Sequence, residues 1–528
     1  MKKTIAFLLS LVMLCTLTMP ALAASAPAED TSEPVPAYTS GEGISIAGIS
    51  GILGGVSGGA AGGSSSDELK AALGGVPGQI GVMVNGKYVR FGSVAPEISK
   101  GRTMIPVRAL VKTLGGKVSY QDKVVTFVLN GYTYQFTIGS TTVTVTSAED
   151  GGKRLPDIVM DCAPYIKHSR TYVPIRFIAK ALGYKVGWDE ELRTAILLDR
   201  DALADQIDGQ FTIINKAMQG SSASALEEGK NIRADVKGNL TVTAFDTING
   251  DKTYEASLTA AEILGEEAAN VKLSVKLSDN VAEELEKQLA GSGTDAEESA
   301  ALLRLMVDGL EDMEVILNRK GQGWLRMAAL DELAGTDNVW MDLGLDTAWS
   351  GLASGGTQAA TVGSALAASI DVNSVESCVS AGRMAGLLYE LYGDDKFTTS
   401  GGESTRTMGA DDLMAVVYHE MGMSEEDIEA AKAAFKEYRI TMKVDGKGGV
   451  AVTFVMETES QAGVPAMRIT MDTKQDAGNA AVDMSFHIAN LCEGKLTLTQ
   501  TWGTTTEVPE TQPPEGAVVV DSQEALNG

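Results

Sequence analysis

The sequence has little histidine and few aromatic residues. Of its 528 residues only 3 are His, and aromatic residues make up 5%. His168, His419 and His487 are far apart in the sequence and form no H-x-H pair. Because Cu(II) prefers imidazole-rich ligand sets, the sequence does not supply a copper site of that kind. Position 423, four residues after His419, is Met rather than a second His, which excludes the zinc-protease motif.

Cysteine is also scarce. Cys15 lies in the N-terminal apolar segment, which leaves Cys162, Cys378 and Cys492 in the rest of the chain. An odd number excludes a fully paired disulfide framework. Cys162 corresponds to Val94 in the internal repeat described below, and we expect it to be a buried small apolar residue. A Cys378–Cys492 bridge remains open.

Sequence motifs for nucleophilic catalysis are missing as well. There is no Gly-x-Ser-x-Gly elbow, so we expect no enzyme activity, no catalytic, cofactor or metal residues, and no cofactor. Carboxylates are plentiful, and a glycosidase-like pair of them stays an alternative. The acidic stretch Asp246–Asp251 has a calcium-like composition without EF-hand spacing, so we predict a polar hairpin turn there.

Positive charge is in deficit, with 43 Lys and Arg against 70 Asp and Glu, a net charge of −27. A field of this sign repels phosphate backbones, so we expect no nucleic-acid partner. It also argues against adhesion to anionic wall polymers through bulk charge.

The N-terminus has the features of an exported protein. Lys2 and Lys3 precede an apolar run from Ile5 to Leu17, and an Ala21-Leu22-Ala23 site follows. This pattern is typical of a signal peptide, residues 1–23, and no second apolar run suggests a membrane segment. Residues 24–77 are rich in Gly, Ala, Ser and Pro, which predicts a disordered linker.

A 24-residue block occurs twice, at 95–118 and 163–186. At a constant offset of 68 residues, 12 of the 24 positions are identical. In each copy, apolar residues at i, i+3, i+4 and i+7 follow a proline and precede a glycine, which predicts a short helix. Asn85-Gly86 and Asn130-Gly131 lie between extended runs and predict hairpins. We therefore expect a tandem two-repeat α+β module over 78–200.

The repeated motifs resemble those of a known family. The stretches VNGK, GRTMIPVR and SRTYVPIRFIAKALG resemble the copper amine oxidase N-terminal-like, or stalk, domain of secreted Firmicute proteins. Tyr120-Gln121-Asp122 departs from the second copy, which has Trp188-Asp189-Glu190. The resemblance covers the module alone. It implies an extracellular accessory domain beside another wall-binding or effector domain, without amine oxidation.

The repeat also duplicates a set of charged residues. Arg102, Arg108, Arg170 and Arg176 recur at the 68-residue offset. Two roles are open for them: contacts to an anion or sugar acid, or bridges to a carboxylate of the same unit, such as Asp122 or Asp189. We favour the bridges, because a structural role repeats naturally. Similarly, His168 is expected on a surface turn, and Tyr172 and Trp188 in the core rather than stacked on sugar rings.

The region 205–503 has a different pattern. Runs of alternating apolar residues predict strands at 232–244, 252–261, 270–278, 313–318, 323–327, 339–343, 439–444, 450–457, 467–472, 480–487 and 495–501, and helices are predicted at 280–309, 374–392, 410–421 and 424–437. Consecutive strands with short turns favour an antiparallel sheet, so the fold class is α+β. Whether this region is one domain or two stays open. Residues 504–528 are predicted to be a disordered tail.

Three functions follow as hypotheses. The first is a secreted, non-catalytic protein of the cell envelope, whose stalk-like module mediates surface association or spacing and whose α+β domain binds a ligand. Cell-wall polysaccharide or peptidoglycan is the expected partner, and the location is extracellular. The second is a C-terminal carrier of a hydrophobic small molecule such as a lipid, suggested by the strand order and the many Met residues. The third is a wall hydrolase with an unrecognised carboxylate pair.

Overall fold

A computed structural model describes most of the chain after residue 65. The described residues are 66–147, 152–221, 231–248, 250–265, 267–281, 283–284, 301, 304–305, 307–318, 320–344, 361–412, 414, 424–460 and 464–521. The predicted signal peptide, most of the predicted linker and most of the predicted helices at 280–309 and 410–421 lie outside them.

The N-terminal half is a small α+β structure. Its helices are α1 (Ser66–Ala72), α2 (Val107–Thr113), α3 (Ile175–Leu182), α4 (Arg200–Asp208) and α5 (Thr212–Ser221). Its strands are β1 (Gly81–Val84), β2 (Lys87–Tyr88), β3 (Glu97–Ser99), β4 (Arg102–Pro106), β5 (Lys117–Gln121), β6 (Val124–Leu129), β7 (Tyr132–Thr137), β8 (Thr142–Ser147), β9 (Arg154–Val159), β10 (Tyr165–Lys167), β11 (Arg170–Pro174), β12 (Lys185–Asp189) and β13 (Thr194–Leu198).

The two repeats pair with each other through equivalent strands. β4 and β11 lie antiparallel at the centre of the sheet β10-β11-β4-β3, with Ile105 opposite Val173. These two residues are equivalent at the 68-residue offset, so the repeats are related by a pseudo-twofold axis through this pair. The predicted tandem α+β architecture is confirmed.

Local sequence explains the rest of each repeat. Pro106 and Pro174 are the last residues of their strands and the N-cap residues of α2 and α3. Gly183 ends α3 in the left-handed conformation, with φ 71°. The predicted Asn-Gly hairpins join β1 to β2 and β6 to β7, and both turn residues of each have positive φ. Helices and strands close over one core that both repeats share, with Ile105, Val173 and Leu110 fully buried.

A side-chain clamp lies near the pseudo-twofold axis. The Glu97 carboxylate of the first repeat accepts hydrogen bonds from the Tyr165 hydroxyl (2.6 Å) and the Lys167 ammonium (2.5 Å) of the second. Glu97 and Tyr165 are themselves equivalent positions. The Lys167 and Tyr165 bonds favour the ionised form, so the pKa of Glu97 lies below its ordinary value.

Glu97→Gln should weaken this clamp by about 1 kcal/mol, since the bond to Lys167 loses its charge. A carboxyl whose pKa is lowered by folding stabilises the fold above its unfolded pKa, near 4.5, and that contribution is lost as pH falls through the folded pKa. Urea titrations of both proteins should therefore differ at pH 7 and converge in acid. An equal difference at every pH would contradict the clamp.

The C-terminal half is built on a single sheet of fourteen strands. Its strands are β14 (Asn231–Ala244), β15 (Lys252–Leu264), β16 (Ala268–Leu277), β17 (Met313–Asn318), β18 (Gly323–Met327), β19 (Val339–Asp342), β20 (Thr398–Ser400), β21 (Glu403–Gly409), β22 (Phe435–Val444), β23 (Val450–Thr458), β24 (Met467–Asp476), β25 (Asn479–Ile488), β26 (Cys492–Thr505) and β27 (Val518–Asp521). Its helices are α6 (Ala328–Ala334), α7 (Val362–Ser369), α8 (Val375–Tyr392) and α9 (Glu425–Ala433). All neighbouring strands are antiparallel except β19 and β27, so the predicted α+β class is confirmed.

Two predictions about the ends of the described chain are wrong. The linker predicted to reach residue 77 gives way to α1, where Lys70 is only 2% exposed and donates hydrogen bonds to the Gln79 and Leu192 carbonyls, both at 2.6 Å. The tail predicted to be disordered from residue 504 instead completes β26 and adds β27 in parallel to β19. The amino-acid composition gave a wrong prediction in both places, because the hydrogen-bond partners of these residues lie far away in the sequence.

Helix α9 is also shorter than predicted. It ends at Ala433, and β22 begins at Phe435 inside the predicted helix 424–437. Phe435 and Tyr438 pack edge-to-face, and Tyr438 packs on Phe454 of β23. Cross-strand packing of these aromatic side chains therefore overrides the helical pattern.

Helices α7 and α8 belong by sequence to the C-terminal half but pack against the repeat module. Leu366 and Ala385 share a core with Leu198 and Phe211, and Val375 is fully buried beside Ile196. The two halves therefore share buried apolar surface. Among the residues that the structure describes, no helix combines the length and the apolarity that crossing a membrane requires.

Candidate functional site

The pairing of the repeats places arginines from both copies in two surface grooves. Groove A, about 570 Å³, contains Arg108 from the start of α2 and Arg170 from the start of β11. Its other lining residues are Phe91, Val94, Pro106, Val107, Ala109, Lys112, Val118, Tyr120, Val125, Ile166, Ser169 and Thr171.

Groove B, about 460 Å³, is the pseudo-symmetric copy. It contains Arg176 from the start of α3 and Arg102 from the start of β4, which are the equivalents of Arg108 and Arg170. Each groove is thus composite: one arginine comes from the helix of one repeat and the other from the central strand of the other repeat. The 68-residue repeat shows that the arginines are duplicated, but only the strand pairing shows which ones meet.

The arginines do not make the predicted bridges to Asp122 or Asp189. Arg102 Nε binds Asp161 Oδ2 at 2.5 Å, and Arg170 donates only to the carbonyl of its neighbour Ser169. Arg108 and Arg176 are exposed and make no hydrogen bond or ion pair with any described residue.

Asp189 has a different role. Its carboxylate accepts hydrogen bonds from the backbone N–H groups of Leu192 (2.8 Å) and Val375 (2.9 Å), so it joins the second repeat to the start of α8. Beside it, Asn373 Oδ1 accepts the Trp188 backbone N–H, and Asn373 lines groove B. The Trp-Asp pair that distinguishes the second repeat from the first therefore forms a docking surface for the start of α8 and the segment that leads into it.

The aromatic residues divide between core and groove. Tyr172 is 2% exposed and stacks on Tyr165 with ring centroids 5.4 Å apart, which confirms its predicted core position. Trp188 is half-buried at groove B, and its indole N–H donates to Glu190 at 2.5 Å. Tyr120, its equivalent in the first repeat, is 47% exposed at groove A.

The remaining residues considered in the sequence lie apart from one another. His168 has φ 48° on an exposed turn, as predicted, and His487 lies 3.3 Å from Glu493 on β25 and β26; His419 lies outside the described residues. Within the described ranges, no group of three or more His, Cys, Asp or Glu side chains could hold a metal ion. Asp246 and Asp251 close the predicted polar hairpin turn through bonds to backbone N–H groups.

The three described cysteines are free, so Cys378 and Cys492 are not paired. Cys162 is half-buried rather than buried as predicted, with its Sγ 3.8 Å from Met104 Sδ. Burial raises the pKa of Cys378 to about 11, which keeps this thiol protonated and unreactive at neutral pH.

The net charge of the repeat module is opposite in sign to the net charge of the whole chain, and this difference points to the grooves. Residues 78–200 contain 17 Lys and Arg against 10 Asp and Glu, a net charge of +7 in a chain of −27. The inference that bulk charge disfavours anionic polymers therefore applies to the remainder of the chain and not to the repeat module. Counting charge for each predicted domain would have revealed this from the sequence.

Residues 83–197 match the sequence family of the copper amine oxidase N-terminal domain. The repeat module is a domain of this family. The match spans both repeats and ends before α4, so it covers the lining of both grooves except Asn373 and does not reach the large sheet. No curated protein matches the chain. In this copper amine oxidase N-terminal-like domain, the matched strands and helices carry all four repeated arginines.

Proposed function

We propose that the chain is an exported, non-catalytic protein of the cell envelope, and that its copper amine oxidase N-terminal-like domain attaches it to an anionic surface polymer. The observation that carries this proposal is the segregation of charge: a basic domain with unpartnered arginines in two grooves, inside a strongly acidic chain. Long-range attraction brings the domain to an anionic surface, while the acidic remainder is repelled and faces away from it. The large sheet then stands clear of the surface, where it can bind a ligand.

Sedimentation with purified cell-wall sacculi tests the attachment. The full chain without residues 1–23 is the right material, because α7 and α8 complete the core beside the domain. We expect the protein to sediment with sacculi at low salt and to be released by high salt, since exposed ion pairs are screened. Protein that stays in the supernatant at low salt would overturn the attachment. Soluble peptidoglycan fragments released during the incubation would favour a hydrolase instead.

A second function, carriage of a hydrophobic molecule, is favoured by one face of the large sheet. A cross-strand row of apolar side chains runs over β22 to β26, namely Ile440, Phe454, Met471, Met484 and Leu496, and each is only half-buried. Methionine-rich apolar surfaces adapt to ligands of varied shape. Lipid extraction of the purified chain followed by mass spectrometry tests this function, and an extract without lipid would remove it.

A further inference from the structure

We propose that groove A is the site that binds the polymer, and that its ligand is a glycan or polyol chain carrying carboxylate or phosphate groups. Groove B is the weaker candidate, because Asp161 neutralises one of its two arginines, Arg102, and Asn373 lines it beside Trp188. This inference rests on the proposed attachment and adds the site and the ligand chemistry.

Groove A concentrates positive charge without any acidic side chain in its lining. Arg108, Lys112 and Arg170 all line it, and none of the three forms an ion pair with a described residue. Guanidinium groups bind carboxylate and phosphate oxygens in bidentate geometry, and such charge-assisted bonds are stronger than neutral ones. Three unpaired cations converging on one groove thus select a ligand with more than one negative group.

The two repeats have different residues at one position, and this explains why the arginines of the two grooves differ in their ion pairs. Arg102 in groove B is neutralised by Asp161, and the position equivalent to Asp161 in the first repeat is Ser93. Arg170 in groove A has no acidic partner among the described residues, whereas Arg102 is paired with a carboxylate. Lys180, the equivalent of Lys112, does not line groove B.

The residues at the edges of the two grooves also differ: those of groove B are bound to other residues, and those of groove A are exposed. In groove B, Asn373, which lies just before α8, accepts a hydrogen bond from the Trp188 backbone N–H, and the Trp188 indole N–H donates to Glu190. In groove A the equivalent Tyr120 and the neighbouring Ile166 are 47% and 48% exposed. An exposed phenol ring beside cations offers an apolar surface for a sugar ring and a polar edge for its hydroxyls. The volume of about 570 Å³ lies in the range of small-molecule sites.

Isothermal titration calorimetry on the full chain without residues 1–23 tests the site. The probes are a galacturonic acid oligosaccharide, which carries carboxylates on rings, a glycerol phosphate oligomer, which carries phosphates without rings, and a neutral maltooligosaccharide. We expect one site for at least one anionic probe, none for the neutral one, and weaker binding at high salt. Tighter binding of the galacturonate would identify a sugar acid as the ligand, and tighter binding of the glycerol phosphate a phosphate polymer.

Three variants locate the site. Ser93→Asp introduces the carboxylate equivalent to Asp161, the partner of Arg102, and should weaken binding about tenfold or more, as should Arg170→Ala, since each removes one charge-assisted contact. Arg176→Ala makes the equivalent change in groove B and should leave the affinity within about twofold. Because Ser93 and the arginines are exposed, thermal unfolding should verify that all three variants fold like the parent.

The outcomes separate the site from the attachment. Equal losses in Arg170→Ala and Arg176→Ala, or no loss in Ser93→Asp, would overturn the assignment to groove A even if the protein still sediments with sacculi. Groove-dependent binding of an anionic probe by a protein that does not sediment would support the site and overturn the attachment. Binding of the neutral probe with equal affinity would overturn the ligand chemistry.

Discussion

Deleting residues 506–528 should lower the free energy of unfolding by at least about 4 kcal/mol, the largest effect expected from any change considered. The deleted segment crosses the ends of β14, β16 and β17 before it forms β27. Asn270 donates to the Glu510 carbonyl (3.1 Å) and accepts the Glu510 N–H (2.6 Å), and Asn318 donates to the Thr511 carbonyl (2.9 Å).

The magnitude follows from what the deletion leaves behind. Asn270 is 8% exposed and loses both of its side-chain partners, and a buried amide that loses its partner costs about 1–3 kcal/mol. Asn318 is 7% exposed and loses one hydrogen bond but keeps those to Gln322. Trp340 is 2% exposed in a cluster that Ala517 covers, so the deletion also uncovers apolar surface. Loss of β27 leaves β19 as an unpaired edge strand, which favours aggregation.

Urea unfolding followed by intrinsic fluorescence measures this effect, because Trp324 and Trp340 lie in the affected cluster. The matched control removes only residues 522–528, which lie beyond β27, and should unfold like the parent. A chain ending at residue 505 with unchanged stability would show that the segment contributes nothing to the sheet.

Asp189→Ala should cost about 3 kcal/mol or more, the second-largest effect. The side chain is 8% exposed and accepts two backbone hydrogen bonds, one within its own repeat and one from Val375 at the start of α8. Hydrogen bonds to a charged group contribute about 1.5–3 kcal/mol each, and both donors would be left buried without a partner. The loss should appear as a lower urea midpoint and as faster proteolysis around 371–375.

Gln121→Ala is the matched control. Gln121 is the equivalent of Asp189 in the first repeat and is exposed, so its removal should change the stability by less than about 0.5 kcal/mol. If both variants behaved alike, the docking of α8 on the second repeat would not depend on the carboxylate.

Gly187→Ala provides an independent test of the same docking surface. A Cβ at this position would lie 2.0 Å from the Val372 carbonyl oxygen, a contact that only movement of the segment 371–375 can relieve. In the first repeat the equivalent residue is Ser119, which is exposed. We therefore expect Gly187→Ala to destabilise the chain and to show the same local proteolysis as Asp189→Ala.

Most secondary structure of this protein was predictable because its signals are local. The paired helices follow from apolar spacing after Pro106 and Pro174, and the hairpins from Asn-Gly turns, whose residues must adopt positive φ. The long strands β14 and β25 have the alternation of a sheet with one apolar face. Predictions failed at α1 and at the segment 504–521, where Lys70, Glu510 and Thr511 are held by partners distant in sequence.

The roles of the arginines were not predictable for the same reason. The sequence shows that Arg102 and Arg170 are equivalent, but not that Asp161 neutralises Arg102 while Arg170 has no acidic partner among the described residues. That difference depends on the antiparallel pairing of β4 with β11, which brings the central strand of each repeat to the helix of the other. The role predicted from sequence, a bridge to Asp122 or Asp189, assumes contacts within one repeat.

The amino-acid sequence by itself determined the duplicated unit, its helices and hairpins, the domain family and the concentration of positive charge in residues 78–200, because each depends on neighbouring residues or on simple composition. The tertiary structure alone decided that α7 and α8 pack on the module, that the C-terminal segment is part of the sheet, and that the two grooves are unequal. Each of these depends on buried contacts between residues far apart in the chain, and a single sequence does not encode such contacts in any local pattern.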